Sequence, residues 1–402
     1  MKTNSILIFL LFISFFSKSQ NSDSLINKYE NIADKLLTSD NKLAIGGYGE
    51  THFNQKLSSE FKNNGKLDVH RMVMLIGYNY NNKLSFISEI EYEHVIEVFV
   101  EQAFMQYKIN KYLNFKAGLL LVPMGIVNEF HEPTTFNGVE RPVIDNTISP
   151  TTWREVGLGF SGNVVEAKLK YQMYLINGFN GFDGAAKMNG KSAFRSARQK
   201  GADSYISSPN FTGKIEFYGI RGLNFGVSGY FGNTQSKLYN GIDKSDKNAI
   251  SKADSSIVGI TMIGFDARYK IKGFEFRAQF YNTSISNAEQ YNYFTAKNDS
   301  TPNDLGNSMI GYYAEIGYNV FRPLKNIKSE LIPFVRYETY NTHNSVGNYL
   351  TKNDSYNNNQ ITFGLTYKLD KGLVLKADMQ LNKSKADKES SKTFNAGFGV
   401  MF

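Results

Sequence analysis

From Lys42 to the C-terminus the chain alternates apolar and polar residues at every second position, and beyond its first twenty residues no apolar stretch is long enough to cross a bilayer as a helix. A period of two makes a strand with two unlike faces. In residues 263 to 271, Ile263, Phe265, Ala267, Tyr269 and Ile271 share one side, and Gly264, Asp266, Arg268 and Lys270 share the other. The next run repeats this, with Phe274, Phe276, Ala278 and Phe280 opposed by Glu275, Arg277 and Gln279. The last ten residues, TFNAGFGVMF, place Phe394, Ala396, Phe398, Val400 and Phe402 on one greasy side.

The connections alternate as well. Short turns fall at Asn81-Asn82, Asn110-Lys111, Gly162-Asn163, 220–222, Lys272-Gly273 and 370–372, and long polar loops at 55–66, 122–152, 179–209, 233–256, 285–306 and 342–358. Short turns at one end and long loops at the other are how outer-membrane barrels distribute their connections. Candidate strands start near residues 42, 67, 83, 95, 112, 153, 164, 210, 223, 257, 273, 308, 330, 359, 373 and 391. In lipid such a sheet has to close, because an open edge leaves backbone groups unpaired at several kcal/mol each. The expected fold is therefore an all-β transmembrane antiparallel β-barrel over 42–402 of about sixteen strands, eighteen also satisfying the even count.

The first nineteen residues read as a secretory signal: Lys2, an apolar run from Ile6 to Phe16, then small Ser17 and Ser19. In segment 20–41, Leu25, Tyr29, Ile32 and Leu36 form one helix stripe, which predicts a short periplasmic helix packing on the barrel body. With no cysteine there is neither a disulfide framework nor a thiolate metal site. Forty-five Lys and Arg against 37 Asp and Glu is a modest excess and does not argue for nucleic acid as a partner.

Charge on the polar side of the strands has to face water, since Arg or Lys at the lipid midplane costs about 2–4 kcal/mol. Lys168, Lys170, Lys214, Arg268, Lys270, Arg277 and Arg336 are accordingly expected to line a hydrated interior, interleaved with acids that could pair with them across strands. Loop 122–152, with four prolines and no strand pattern, carries Glu129, His131, Glu132, Glu140, Arg141 and Asp145 beside apolar Phe130, Phe136, Val139 and Ile144 that could anchor it. His131 with Glu129 and Glu132 lacks the second histidine or HExxH spacing of a metal site, so none is expected. Loop 183–204 holds Lys187, Lys191, Arg195, Arg198 and Lys200, which would draw anions or lipopolysaccharide phosphates to the mouth.

LDVHRMVMLIGYNYNNKLSFISEIEYEH, the stretch from VFVEQAF to NEFHEPTTFNGVERP, and TTWREVGLGFSGN together resemble the phosphate-selective porins O and P over residues 67 to 178. The resemblance implies a sixteen-stranded Gram-negative outer-membrane porin, commonly a homotrimer, with loop 122–152 folded into the channel. It departs in charge: that family uses an arginine ladder and a lysine cluster, whereas here Arg268, Arg277 and Arg336 alternate with Asp266, Glu275 and Glu338. The expected function is passive diffusion of small hydrophilic or anionic solutes, phosphate among the candidates, without catalysis or cofactor. Glu129 to Asp145 would form the constriction, and Arg71, Arg141 and Arg154 would bind anions. A hydrolase borne on the barrel, or a plugged structural or surface-binding barrel, are the alternatives.

Overall fold

A computed structural model describes residues 31–296, 301–324 and 326–402. The expected leader, and Leu25 and Tyr29 of the helix stripe, lie outside the described residues. Sixteen antiparallel strands close into one barrel. They are β1 (Leu43–Leu57), β2 (Lys66–Asn79), β3 (Leu84–Glu93), β4 (Glu97–Lys108), β5 (Asn114–Leu121) and β6 (Arg154–Val164). There follow β7 (Leu169–Ile176), β8 (Asn210–Ile220), β9 (Leu223–Asn233), β10 (Gly259–Ile271) and β11 (Phe274–Ser286). The last five are β12 (Ser308–Tyr318), β13 (Glu330–Ser345), β14 (Asn357–Asp370), β15 (Leu373–Ser384) and β16 (Ser391–Met401). Closure runs through β1 and β16, from Tyr48 opposite Met401 to Leu57 opposite Lys392, so no strand edge is left open.

The two faces separate as the alternation requires. In β10, Met262, Asp266 and Arg268 are buried inside while Ile263 and Phe265 are exposed outside; in β16, Asn395 is buried and Phe398 looks out. Outward aromatics such as Tyr107, Phe217, Phe225, Phe274 and Tyr318 sit near the short-turn rim, where amphipathic rings suit a membrane boundary.

One local expectation is corrected, and with it the place of Lys168. Gly162-Asn163 is not a turn: β6 runs on to Val164, and the chain reverses through Val165–Ala167 with Lys168 left-handed at φ 56. Gly162 serves close packing instead, since a Cβ there would run into the carbonyl of Tyr112. Lys168 therefore belongs to a turn and not to a strand wall. The described helix, α1 (Ile32–Leu37), capped by the Asn31 side chain on the Asp34 N–H, packs on the inner side of the barrel mouth. Ile32 and Leu36, the inner half of the stripe, pack on Gly46 and Gly77 of β1 and β2.

Candidate functional site

Loop 122–152 enters the lumen, and one asparagine closes its neck. Asn128 donates its amide to the carbonyls of Val122 (2.7 Å) and Trp153 (2.8 Å) and accepts from the Trp153 N–H (2.7 Å). A segment without regular structure, buried in a barrel, needs partners for its backbone groups. The wall supplies them by charge. Asp378 accepts from the Val139 N–H at 2.7 Å and Glu338 from Val143 at 2.6 Å. Lys214 donates to Gly125 O at 2.6 Å, Arg71 to His131 O at 2.5 Å and Arg277 to Thr135 O. Arg336 reaches the carbonyls of Asn137 (3.4 Å) and Glu140 (3.1 Å) while paired to Glu315 (3.2 Å) and Glu338 (2.8 Å).

The apolar anchors named from the sequence are all buried. Arg268, paired with Glu216, lies over the Phe130 ring at 4.1 Å, and Lys376 over Phe136 at 3.7 Å, so the loop rings face cations. His131 holds the loop to β3 and β4. Its Nδ1 lies 3.2 Å from Asn128 O, and its Nε2 3.4 Å from both Glu89 and Glu101. Burial alone would favour the neutral ring, but the two carboxylates push its pKa up to about 10. Both ring nitrogens thus act as donors. Glu129 and Glu132 point elsewhere: Glu129 to Lys214 and Gln172, Glu132 to the Ile32 N–H at 2.9 Å.

Two polar chambers flank the loop. The inner one, about 350 Å³, lies toward the short turns and is bordered by α1, Lys170, Glu129 and Lys214. The outer one, about 340 Å³, is bordered by Glu140, Arg141, Asp145, Arg154 and residues of the second long loop. Arg71 borders neither, being locked to Glu50 at 2.5 Å and to the loop backbone. Arg154 is tied to Glu101 at 3.4 Å; Arg141 Nη2 has no hydrogen-bond partner among the described residues. Lys270 pairs with Glu275 at 2.6 Å near the short-turn rim. Most of the wall cations expected to line open water therefore hold the loop or an acid.

The outer chamber gains Arg195, Arg198 and Lys200 from loop 177–209, which is pinned by Phe179 and Phe194 against Trp153 and Tyr230. Arg195 donates to Thr151 O at 3.0 Å, and Arg198 to Pro150 O at 3.0 Å and Thr152 O at 2.8 Å. Partial burial, then neighbouring Arg195 and Arg154, pull Arg198 down to about 9. On the opposite side, burial pushes Asp145 up to about 7 despite hydrogen bonds from Gln279 and Tyr281. A folded pKa above the ordinary carboxylate value means that the folded state keeps this proton between roughly pH 4 and 7, so the site's contribution to stability falls as pH rises through that window. Acidification below about 7 also removes one negative charge from the outer chamber. The anion-to-cation permeability ratio is expected to rise between pH 8 and 6, and Asp145→Asn to lose that component; equal pH profiles for the two proteins would refute the assignment.

No known protein-family profile matches the chain. It is 29% identical over 381 residues to an uncharacterized protein of Aquifex aeolicus (strain VF5), covering 92% of this chain and 82% of that one. Among solved structures it superposes on the anion-selective porin from Comamonas acidovorans with TM-score 0.55 at 11% identity, covering 90% of this chain and 99% of that one. Salmonella typhi OmpF gives 0.54 at 14% identity over 90% and 97%, and the trimer form of OmpT, an outer membrane protein of Vibrio cholerae, 0.52 at 10% over 90% and 99%. The fold is that of an outer-membrane porin. At these identities the likeness concerns architecture, and the charge arrangement inside is this chain's own.

Proposed function

We propose that the protein is a passive channel of a Gram-negative outer membrane, admitting small hydrophilic and anionic solutes past loop 122–152. The observation that carries this reading is a closed, outwardly apolar barrel whose lumen holds two polar chambers on either side of that loop. Arg141, Arg195 and Arg198 are the groups that would greet an anion in the outer chamber, with phosphate a candidate through the resemblance of residues 67–178 to phosphate-selective porins. The solute preference is set against acids on the same walls, so weak anion selectivity is expected rather than a phosphate-only pore. No catalysed step and no cofactor belong to this reading.

A homotrimer also belongs to it. The outward side of β2 to β4 presents Leu67, Val69, Met72, Met74, Val98 and Val100, and the three-residue outer turn adds Val95 (68% exposed) and Ile96 (84%), a low apolar wall suited to a second copy. Lipid and lipopolysaccharide would cover the rest. The second reading is a plugged barrel, favoured by how fully the wall satisfies the loop backbone. Purified protein in planar bilayers tests the first reading: ohmic steps support it, with reversal potentials in asymmetric chloride and phosphate giving the preference. Silence from folded, heat-modifiable protein would overturn it.

A further inference from the structure

Three of the chain's five histidines, His52, His70 and His94, form a row of rings at the outer rim of the lumen, and His70 and His94 meet the carboxylate of Asp68. Asp68 Oδ2 lies 2.8 Å from Nδ1 of His94 and 3.4 Å from Nδ1 of His70. One donor atom from each of Asp68, His70 and His94 lies within 4.8 Å of the other two. We infer that Asp68, His70 and His94 form a binding site for a divalent transition-metal ion of the zinc class, open to the outside of the barrel.

The geometry favours this over a simple hydrogen-bonded cluster for four reasons. Donor atoms around a tetrahedral zinc, bonded at about 2.0–2.1 Å, stand about 3.3 Å apart, so the separations of 2.8 and 3.4 Å suit two such edges and the third, within 4.8 Å, needs only a small ring movement. Two imidazoles and one carboxylate are a donor set that borderline metals take, with the fourth position left for water. Glu93 lies 3.8 Å from Nε2 of His94, beyond hydrogen-bond reach here but on the side where a carboxylate backs a ligating histidine. His52 stacks flat on His70 at 4.5 Å while its own nitrogens face Glu50 and Glu140, so it fixes the His70 ring rather than competing for the ion.

Local backbone brings the three together. A bulge between β1 and β2 sets Glu50 opposite Arg71 but Thr51 opposite Val69, leaving His70 as the extra residue and Asp68 facing inward opposite His52. His94 opens the outer turn in the left-handed region at φ 53, its N–H bonded to His70 O at 3.1 Å. The side chains stay reachable, at 13%, 27% and 37% exposure for Asp68, His70 and His94. The other such cluster among the described residues, Glu89, Glu101 and His131, is sealed and serves as the ion pair that fixes the loop. Lys66, 3.8 Å from Asp68 and largely solvent-exposed, is a cation that would have to swing away.

The test is zinc titration of the chelator-stripped, detergent-folded protein, read by calorimetry and by competition with a zinc dye, and it needs no open pore. One zinc per chain is expected near pH 7.5, weakened at least tenfold in each of His94→Gln, His70→Gln and Asp68→Asn. X-ray absorption at the zinc edge should count two imidazoles. Binding should fade below about pH 6, where imidazole takes up protons. Heat-modifiable migration certifies the fold of each variant. Absence of binding by folded wild-type protein, or binding that survives all three substitutions, would overturn the site.

Discussion

Removing Met124–Pro150 and bridging the gap with Asn-Gly raises single-channel conductance several-fold and leaves the barrel folded. The ends of the loop are already neighbours: Leu121 pairs with Arg154 across β5 and β6, and the Val122 N–H meets Trp153 O at 3.0 Å. The inserted Asn-Gly together with Thr151 then makes a three-residue hairpin loop between Pro123 and Thr152, a length that fits without moving either strand. The barrel itself is held by its closed strand ladder, which the loop does not join. Wall charges that now hold the loop, such as Lys214, Arg277 and Asp378, would face water once it is gone, and hydrated charge carries no burial penalty. A rise from a finite conductance identifies the loop as a constriction. A rise from zero identifies it as a plug, and unchanged conductance would mean that ions pass where the loop does not reach.

Much of this architecture is legible in the sequence because hydrocarbon allows few alternatives. Predicted starts at 210, 223, 308, 330, 373 and 391 coincide with strand starts, and the largest gap, 164 against 169, arises where a packing glycine resembles a turn. The loop's inward course was implied by the resemblance to the phosphate-selective porins, and Phe130, Phe136, Val139 and Ile144, in a segment with no strand period, offered only its anchors. What alternation cannot convey is the level around the lumen at which each inward charge sits. Arg336 meets the carbonyl of Glu140, 196 residues away, and Asp378 meets Val139, 239 residues away. Period two says that Arg336 faces inward and nothing about whether water or peptide awaits it. The bulge behind the histidine cluster did leave a trace: outward Leu67 and Val69 are followed by Met72 and Met74, a slip of one position that lets Asp68 and Arg71 both look inward.

Arg336→Met is expected to free the tip of the loop and to cost roughly 3–5 kcal/mol, the range for breaking a buried pair from one side. Arg336 is fully buried, and its guanidinium is shared among Glu315, Glu338 and two loop carbonyls. Methionine fills much of the volume but leaves Glu315 and Glu338 buried without their cation, and the carbonyls of Asn137 and Glu140 lose a donor. The system's cheapest response is for residues 134–142 to withdraw and let water reach the acids. Limited proteolysis should then cut within that stretch while the barrel persists, and channel current should become noisier. Adding Glu338→Gln removes one stranded charge and should restore part of the protection. Arg336→Lys should fall between, because an ammonium keeps the charge but cannot span four acceptors in a planar fork. If Arg336→Met leaves the loop as protected as in the parent, the loop is held by its apolar anchors and neck instead, and the charged wall is not what positions it.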